Sequence, residues 1–363
     1  MKLPFALPRL PWRRGKIQPY KRGLLLQWHV THRCGQRCAH CYQDGYDGPE
    51  MDLADLLSVL EQYKRLLATL KPARGHVTIT GGEPFARADI WDLLQAVAAN
   101  DRQFSFAILS NGQHIDNEAA RRLKKLNPRF VQLSVEGEER THDKIRGPGD
   151  HARVVQAIGA LHGAGVATMI SFTAHAENYR EFPAVARLGR QLGVGKVWTD
   201  RLIPCGSGAA VAPLDAGQTE EYINIVAQQK RQGGGWFRRR SPVAADRALQ
   251  FIAAGGKPYR CVAGDSLITI MPDGTLYPCR RMPAPVGNVM RSSLLELYHG
   301  QKLLRDLRDR SIISQGCRGC IYQRFCAGGL KCLSWAATGD PFRADPGCPL
   351  AGKGEGSGTG LIL

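Results

Sequence analysis

The sequence has no apolar run near the roughly 18–20 residues that would span a bilayer, so no membrane-spanning segment is expected. Its first residues, MKLPFALPRLPWRRGK, hold only a short apolar stretch broken by Pro4 and Pro8, and no secretory signal is expected there. Acidic residues are scarce beside basic ones: 32 Asp and Glu against 49 Lys and Arg, a formal net charge of +17. Nine Lys or Arg precede the first acid, Asp44, and a second basic group, KRQGGGWFRRR, occupies 230–240. Such a balance attracts anions, whether an acidic peptide, a carboxylated cofactor, nucleic acid or a membrane surface, or it merely keeps the surface solvated. No nucleic-acid module accompanies the charge, so no DNA partner is expected. The missing export signal also decides how the cysteines are read. Eleven thiols, an odd number, in a 363-residue chain expected in the cytoplasm point to metal or redox chemistry rather than a disulfide framework.

What is present is a strand–helix alternation. Strands are expected at 23–31, 76–80, 104–110, 130–135, 166–173 and 194–204, with helices at 52–70, 88–100, 117–126, 152–165 and 179–193 between them. Asp52 is the expected N-cap of the first helix. Parallel neighbours need long return connections, so the pattern predicts a parallel α/β sheet. Such sheets carry ligands beyond the carboxyl ends of their strands. The chemically unusual residues follow those ends: cysteines after the first strand, GGEP after the second, SNG after the third. A bridging segment with one helix is expected over 216–250. From about 251 the periodicity fades and cysteines and glycines rise, which predicts a small metal-stapled domain to about 350, with a flexible tail from 351 to 363. Residues 1–22 form a basic extension.

Cys34, Cys38 and Cys41 are spaced C-x3-C-x2-C on one short loop. Thiolates so placed can converge on one iron–sulfur core, and three rather than four would leave one iron open to an outside ligand. Zinc binding, or three reduced core cysteines, is the plainer alternative. CGQRCAHC after an apolar strand, with GGEP at 81–84, resembles the radical S-adenosylmethionine enzymes over about residues 23–215. The resemblance implies a partial (β/α)6 TIM-like barrel. It also implies a [4Fe-4S] cluster on Cys34, Cys38 and Cys41, and S-adenosylmethionine bound through its free iron and split to a deoxyadenosyl radical. It assigns Tyr42 as the aromatic beside the last ligand and Gly81, Gly82, Glu83 and Pro84 to the segment meeting the methionine amine. Ser110, Asn111, Ser134 and Arg146 fall where the family contacts ribose and carboxylate. Glu136 stands where the family usually has Asp. An electron donor such as flavodoxin or ferredoxin is implied as a partner.

The C-terminal cysteines resemble the SPASM extension, which carries two auxiliary [4Fe-4S] clusters, three in all. The likeness allots Cys261, Cys279 and Cys332 to one, and Cys317, Cys320, Cys326 and Cys348 to the other. Two spacings depart from the pattern: CAGGLKC puts five residues between Cys326 and Cys332 where three are usual, and the gap from Cys261 to Cys279 is slightly long. A zinc ribbon is the alternative for this region. Cys205 is left over, either a buried thiol, a fourth cluster ligand, or a catalytic donor of hydrogen or sulfur. The resemblance implies a peptide maturase of the type associated with cysteine-repeat precursors, forming a thioether in a ribosomal peptide with an acidic leader. Haem-biosynthetic relatives acting on tetrapyrroles and sulfatase maturases remain open; the latter usually have Asp directly after the G-x4-C cysteine, where this chain has Arg280.

Overall fold

The computed structural model describes residues 23–43, 45–70, 74–232 and 242–352. The expected basic extension and all but the first two residues of the expected tail lie outside them, as does most of the basic group at 230–240. All six expected strands form: β1 (Leu25–His29), β2 (Gly75–Thr80), β3 (Phe104–Ser110), β4 (Val131–Ser134), β5 (Thr168–Ala174) and β6 (Lys196–Arg201). Each pairs in parallel with its sequence neighbour, giving an open partial barrel rather than a closed one. Alternation sorts the strand side chains. Leu26, Trp28, Val77, Ile79, Leu133 and Ile170 point outward under the helices and are fully buried. The intervening Gln27, Thr78, Gln132, Ser134, Ser171 and Trp198 line an inner cavity.

The outer layer follows from helical periodicity. In α1 (Leu53–Leu70), Leu56, Val59, Leu60, Tyr63, Leu66 and Leu67 form the buried stripe. Its start is capped as expected, with the Asp55 N–H donating to Asp52 Oδ1 at 2.8 Å. Helices α2 (Ile90–Ala98) and α3 (Asn117–Leu126) cover the next crossovers. Helix α4 (Glu139–Arg146) was not expected, because ERTHDKIR buries only His142 and Ile145 and carries no readable apolar period. Helix α5 (Asp150–Gly163) follows, then α6 (Phe182–Gln191) after a short 3-10 turn at Tyr179–Glu181, and α7 (Ala216–Arg231) on the bridging segment.

The C-terminal region is less separate than its composition suggests. After α8 (Phe251–Ala254), strand β7 (Leu267–Ile270) pairs in parallel with β1, and β8 (Leu276–Tyr277) returns antiparallel to it. The sheet therefore has eight strands in the order β6-β5-β4-β3-β2-β1-β7-β8 and crosses the expected domain boundary. The turn between the last two strands is Pro272-Asp273-Gly274, with Gly274 at φ +82°, a readable turn signal that the cysteine pattern overshadowed. Helix α9 (Leu294–Gly300) packs on α1, where the Gln62 side chain donates to Val289 O and accepts from Leu294 N. Helices α10 (Lys302–Arg308), α11 (Gln323–Cys326) and α12 (Lys331–Thr338) complete the region. They surround a second small core containing Ile203, Met282, Leu307, Leu330 and Leu333.

Candidate functional site

The loop after β1 carries Cys34, Cys38 and Cys41, none of them in a disulfide. Its sulfurs have nearby donors: Gln36 N and Asn111 Nδ2 toward Cys34 at 3.4 and 3.8 Å, Arg146 Nη1 toward Cys38 at 3.9 Å, and Gln43 N toward Cys41 at 3.4 Å. Burial pushes the free thiols of Cys34 and Cys38 up, the latter to about 11. Metal binding here must therefore release protons, and donors aimed at sulfur favour the thiolate form.

The GGEP turn after β2 packs directly on this loop. Gly82 N donates to Thr31 O at 2.9 Å and Glu83 N to Arg33 O at 2.8 Å. A Cβ on Gly82 would lie 2.4 Å from Arg33 O and 2.6 Å from His32 O. Glycine here admits the cysteine loop's own backbone. Gly82→Ala is expected to cost about 1–3 kcal/mol by overpacking, read from the denaturant midpoint of the metal-free protein. Gly159→Ala, in α5 with nothing within 4 Å of its Cβ, is expected instead to stabilise by about 0.5–1 kcal/mol.

Glu83 does not reach the cavity. It is fully buried and accepts from Ser110 Oγ at 3.0 Å, Asn111 N at 2.7 Å and Phe85 N at 3.2 Å. Burial pushes its carboxyl up to about 7, against the pull of those donors and of Arg146. Its structural effect is to tie the turn after β2 to the turn after β3. Pro84 opens the short 3-10 turn at Pro84–Ala86 and is also buried. Gly81, Gly82, Ser110, Asn111, Ser134, Arg146 and Tyr42 all line one cavity with the three cysteines. Ser110, however, spends its hydroxyl proton on Glu83, and Ser134 Oγ pairs with Ser171 Oγ at 3.3 Å.

Arg146, the last residue of α4, pairs with Glu136 at 2.7 Å. Glu136 also meets His40 Nε2 at 3.3 Å and accepts from Thr173 N at 2.8 Å. Burial would raise this carboxyl, but His40 and Arg146 hold it well below the usual range. His40 was missed in the sequence, although it stands inside the motif between Cys38 and Cys41. It lines the cavity, is 8% exposed, and its Nδ1 has no hydrogen-bond partner among the described residues. A buried ring nitrogen left unsatisfied beside the cysteine loop fits a site that receives a polar ligand. Tyr42 is met by Arg280, which lies 5.2 Å from its ring centroid and donates to its carbonyl at 2.7 Å. That contact ties the cysteine loop to the residue following Cys279.

The cavity, about 950 Å³, extends from the cysteine loop to Cys279 and Arg281. Asp200, at the end of β6, receives Arg281 at 2.6 Å and Arg247 at 3.2 Å on the same oxygen. Burial opposes its ionisation, yet these two guanidiniums bring its carboxyl down to about 2. Cys332 lies in the second core and Cys279 packs against it; burial raises both thiols, and Cys261 adds to the rise of each. Cys317, Cys320, Cys326 and Cys348 together line a separate small cavity and act on one another likewise. Among the described residues no three His, Cys, Asp or Glu side chains close on one point as ligands of a single metal ion would. Thiolates of a multi-iron cluster each take a different iron and stand farther apart. Cys205 does not line the cavity; it packs against the second core. That position suits a packed thiol or a further ligand better than a donor to a substrate in the cavity.

Comparison with known proteins agrees with this arrangement. Residues 28–189 match the Radical SAM superfamily and residues 261–321 the SPASM iron-sulfur cluster-binding domain. The AdoMet-dependent heme synthase of Methanosarcina barkeri is 23% identical, covering 89% of this chain and 95% of its own. Mycofactocin maturase MftC of Mycobacterium ulcerans is 29% identical, covering 94% and 92%. The crystal structure of Streptococcus suis SuiB bound to precursor peptide SuiA superposes with a TM-score of 0.69 at 18% identity, covering 89% of this chain and 75% of that one. The two family matches together span more than half of the 363 residues, and the chain is a radical SAM protein with a C-terminal SPASM domain.

Proposed function

We propose that this protein is a radical S-adenosylmethionine enzyme that modifies a ribosomally made peptide by closing a thioether between a cysteine sulfur and a carbon of another residue. The supporting observation is the single cavity that has the Cys34, Cys38 and Cys41 loop on one wall and Cys279 on another. When bound, a cluster and S-adenosylmethionine supply a radical that takes a hydrogen atom from carbon, and an iron–sulfur acceptor for the electron released as sulfur–carbon bonding completes. Asn111 and Arg146 steady the cysteine loop, while His40 Nδ1 offers the cofactor a polar contact. Asp200, held ionised by two arginines, is a poor proton acceptor, so it orients Arg281 toward the cavity rather than acting as base. Arg280 stands where sulfatase maturases carry Asp and is spent on Tyr42, which speaks against that activity.

The likeness to mycofactocin maturase and to a structure holding a precursor peptide supports the peptide reading. A second reading has its own observation: Arg129, Arg146, Lys196, Arg247 and Arg281 line the cavity, and such walls also suit a polycarboxylated tetrapyrrole. Co-expression with the precursor peptide is expected to give a product two hydrogens lighter by mass spectrometry, one lost from carbon and one from sulfur, with one thiol fewer open to alkylation. A modified peptide whose cysteines all still alkylate would eliminate the thioether. Turnover of a tetrapyrrole with no change in the peptide would favour the second reading.

A further inference from the structure

The long spacing in CAGGLKC places Lys331 directly before Cys332, at the start of α12. Long, charged lysine side chains are almost never buried unless paired, yet Lys331 is only 9% exposed. Among the described residues no carboxylate forms an ion pair with it. Its ammonium donates to Ser314 Oγ at 2.8 Å and Ala327 O at 2.9 Å, and lies 5.1 Å from the Phe342 ring centroid. Both hydrogen-bond acceptors are neutral, so neither cancels the charge. Its contacts place it against both C-terminal sets: Ala327 directly follows Cys326, Ser314 O accepts from Cys317 N at 3.1 Å, and Lys331 itself directly precedes Cys332. Arg260 is the other cation that bears on it. A buried cation between two groups of cluster-forming thiolates makes each added electron less costly to hold, because the field acts in a medium of low dielectric.

We propose that Lys331 is a positioning residue that raises the reduction potentials of the two SPASM-side clusters together, through a fixed charge set between them. The inference rests on the reading that these cysteine sets hold iron–sulfur clusters. The hydrogen bonds of the ammonium both end on the C-terminal region, at Ser314 and Ala327, and neither reaches the loop of Cys34, Cys38 and Cys41. The effect of the charge is therefore confined to the auxiliary pair.

Potentiometric titration of the fully reconstituted protein, followed by electron paramagnetic resonance, tests this. At the potential where the wild-type auxiliary signal is half reduced, Lys331→Gln and Lys331→Met are expected to show a reduced-to-oxidised ratio about tenfold lower. That is about 59 mV for a one-electron couple. Lys331→Arg is expected to keep the wild-type ratio, and the signal that responds to S-adenosylmethionine serves as an internal control that does not move. Wild-type ratios in both neutral variants, with iron content intact, would overturn the proposal. So would loss of auxiliary iron in both neutral variants while Lys331→Arg retains it, since that outcome makes the residue one of assembly. Iron near four per chain in the wild type would instead remove the cluster reading beneath it.

Discussion

Anaerobically reconstituted protein is expected to hold about twelve irons per chain, four for each of three cysteine groups. Replacing Cys34, Cys38 and Cys41 together by Ala is expected to remove about a third of that iron and all cleavage of S-adenosylmethionine. The reason is local: these three sulfurs share one loop, and their neighbours Asn111 and Arg146 serve no other cysteine group. The C-terminal cysteines stand on different elements, Cys317, Cys320, Cys326 and Cys348 around a cavity of their own, so their iron is expected to persist in the triple variant. Cys205→Ala, removing a thiol that packs on the second core, is expected to keep its full iron content. Iron near four per chain with bound zinc would show that the C-terminal cysteines form a ribbon instead. Continued formation of deoxyadenosine by the triple variant would sink the assignment of the loop, and a selective loss of auxiliary signal in Cys205→Ala would make that residue a ligand.

Asp345→Ala is expected to be the most destabilising single substitution proposed here, by about 3–5 kcal/mol, because it strips the partner from a buried guanidinium. Asp345 is fully buried and Arg201 is 4% exposed. The carboxylate takes both terminal nitrogens of Arg201, one at 2.9 Å, and also accepts from Leu330 N at 3.2 Å and Gly347 N at 3.0 Å. One residue thus joins the end of β6 to the turns that carry Cys332 and Cys348. Loss of this joint is expected to lower the denaturant midpoint and to release iron from the C-terminal sets before the N-terminal loop. Lys144→Ala is the control. Its partner Glu177 lies at 2.7 Å, but both are largely exposed, so the cost is expected within about 0–1 kcal/mol. Equal effects from the two variants would refute the view that Asp345 holds the parts together.

Much of this was legible because it rests on short-range rules. The six parallel strands declare themselves as apolar or alternating runs, and α3 falls at 117–126 as expected because Asp116 caps it and Leu123 and Ala120 face inward. Helix α4 was not legible. Its face is almost wholly polar, and it is held by tertiary hydrogen bonds such as His142 to Asp150 at 3.0 Å rather than by a stripe of its own. Strands β7 and β8 were hidden for a related reason, since four residues and two are too short to show a period. Their place depends on β1 offering a free edge.

The sequence by itself determined the strand–helix order, the three-cysteine loop, and the GGEP and SNG turns at strand ends. Each depends on residue type and spacing along a few dozen residues. Only the tertiary structure decided how those pieces act. It turned Glu83 away from the cavity to bind Ser110 and Asn111, put His40 into it, and carried the sheet across the expected domain boundary. It also buried Lys331 with its ammonium on Ser314 and Ala327. The physical reason is that burial and hydrogen-bond satisfaction are settled by neighbours distant in the chain. A carboxylate must accept donors and a buried ammonium must find acceptors, and spacing along the sequence does not say which ones folding will bring near.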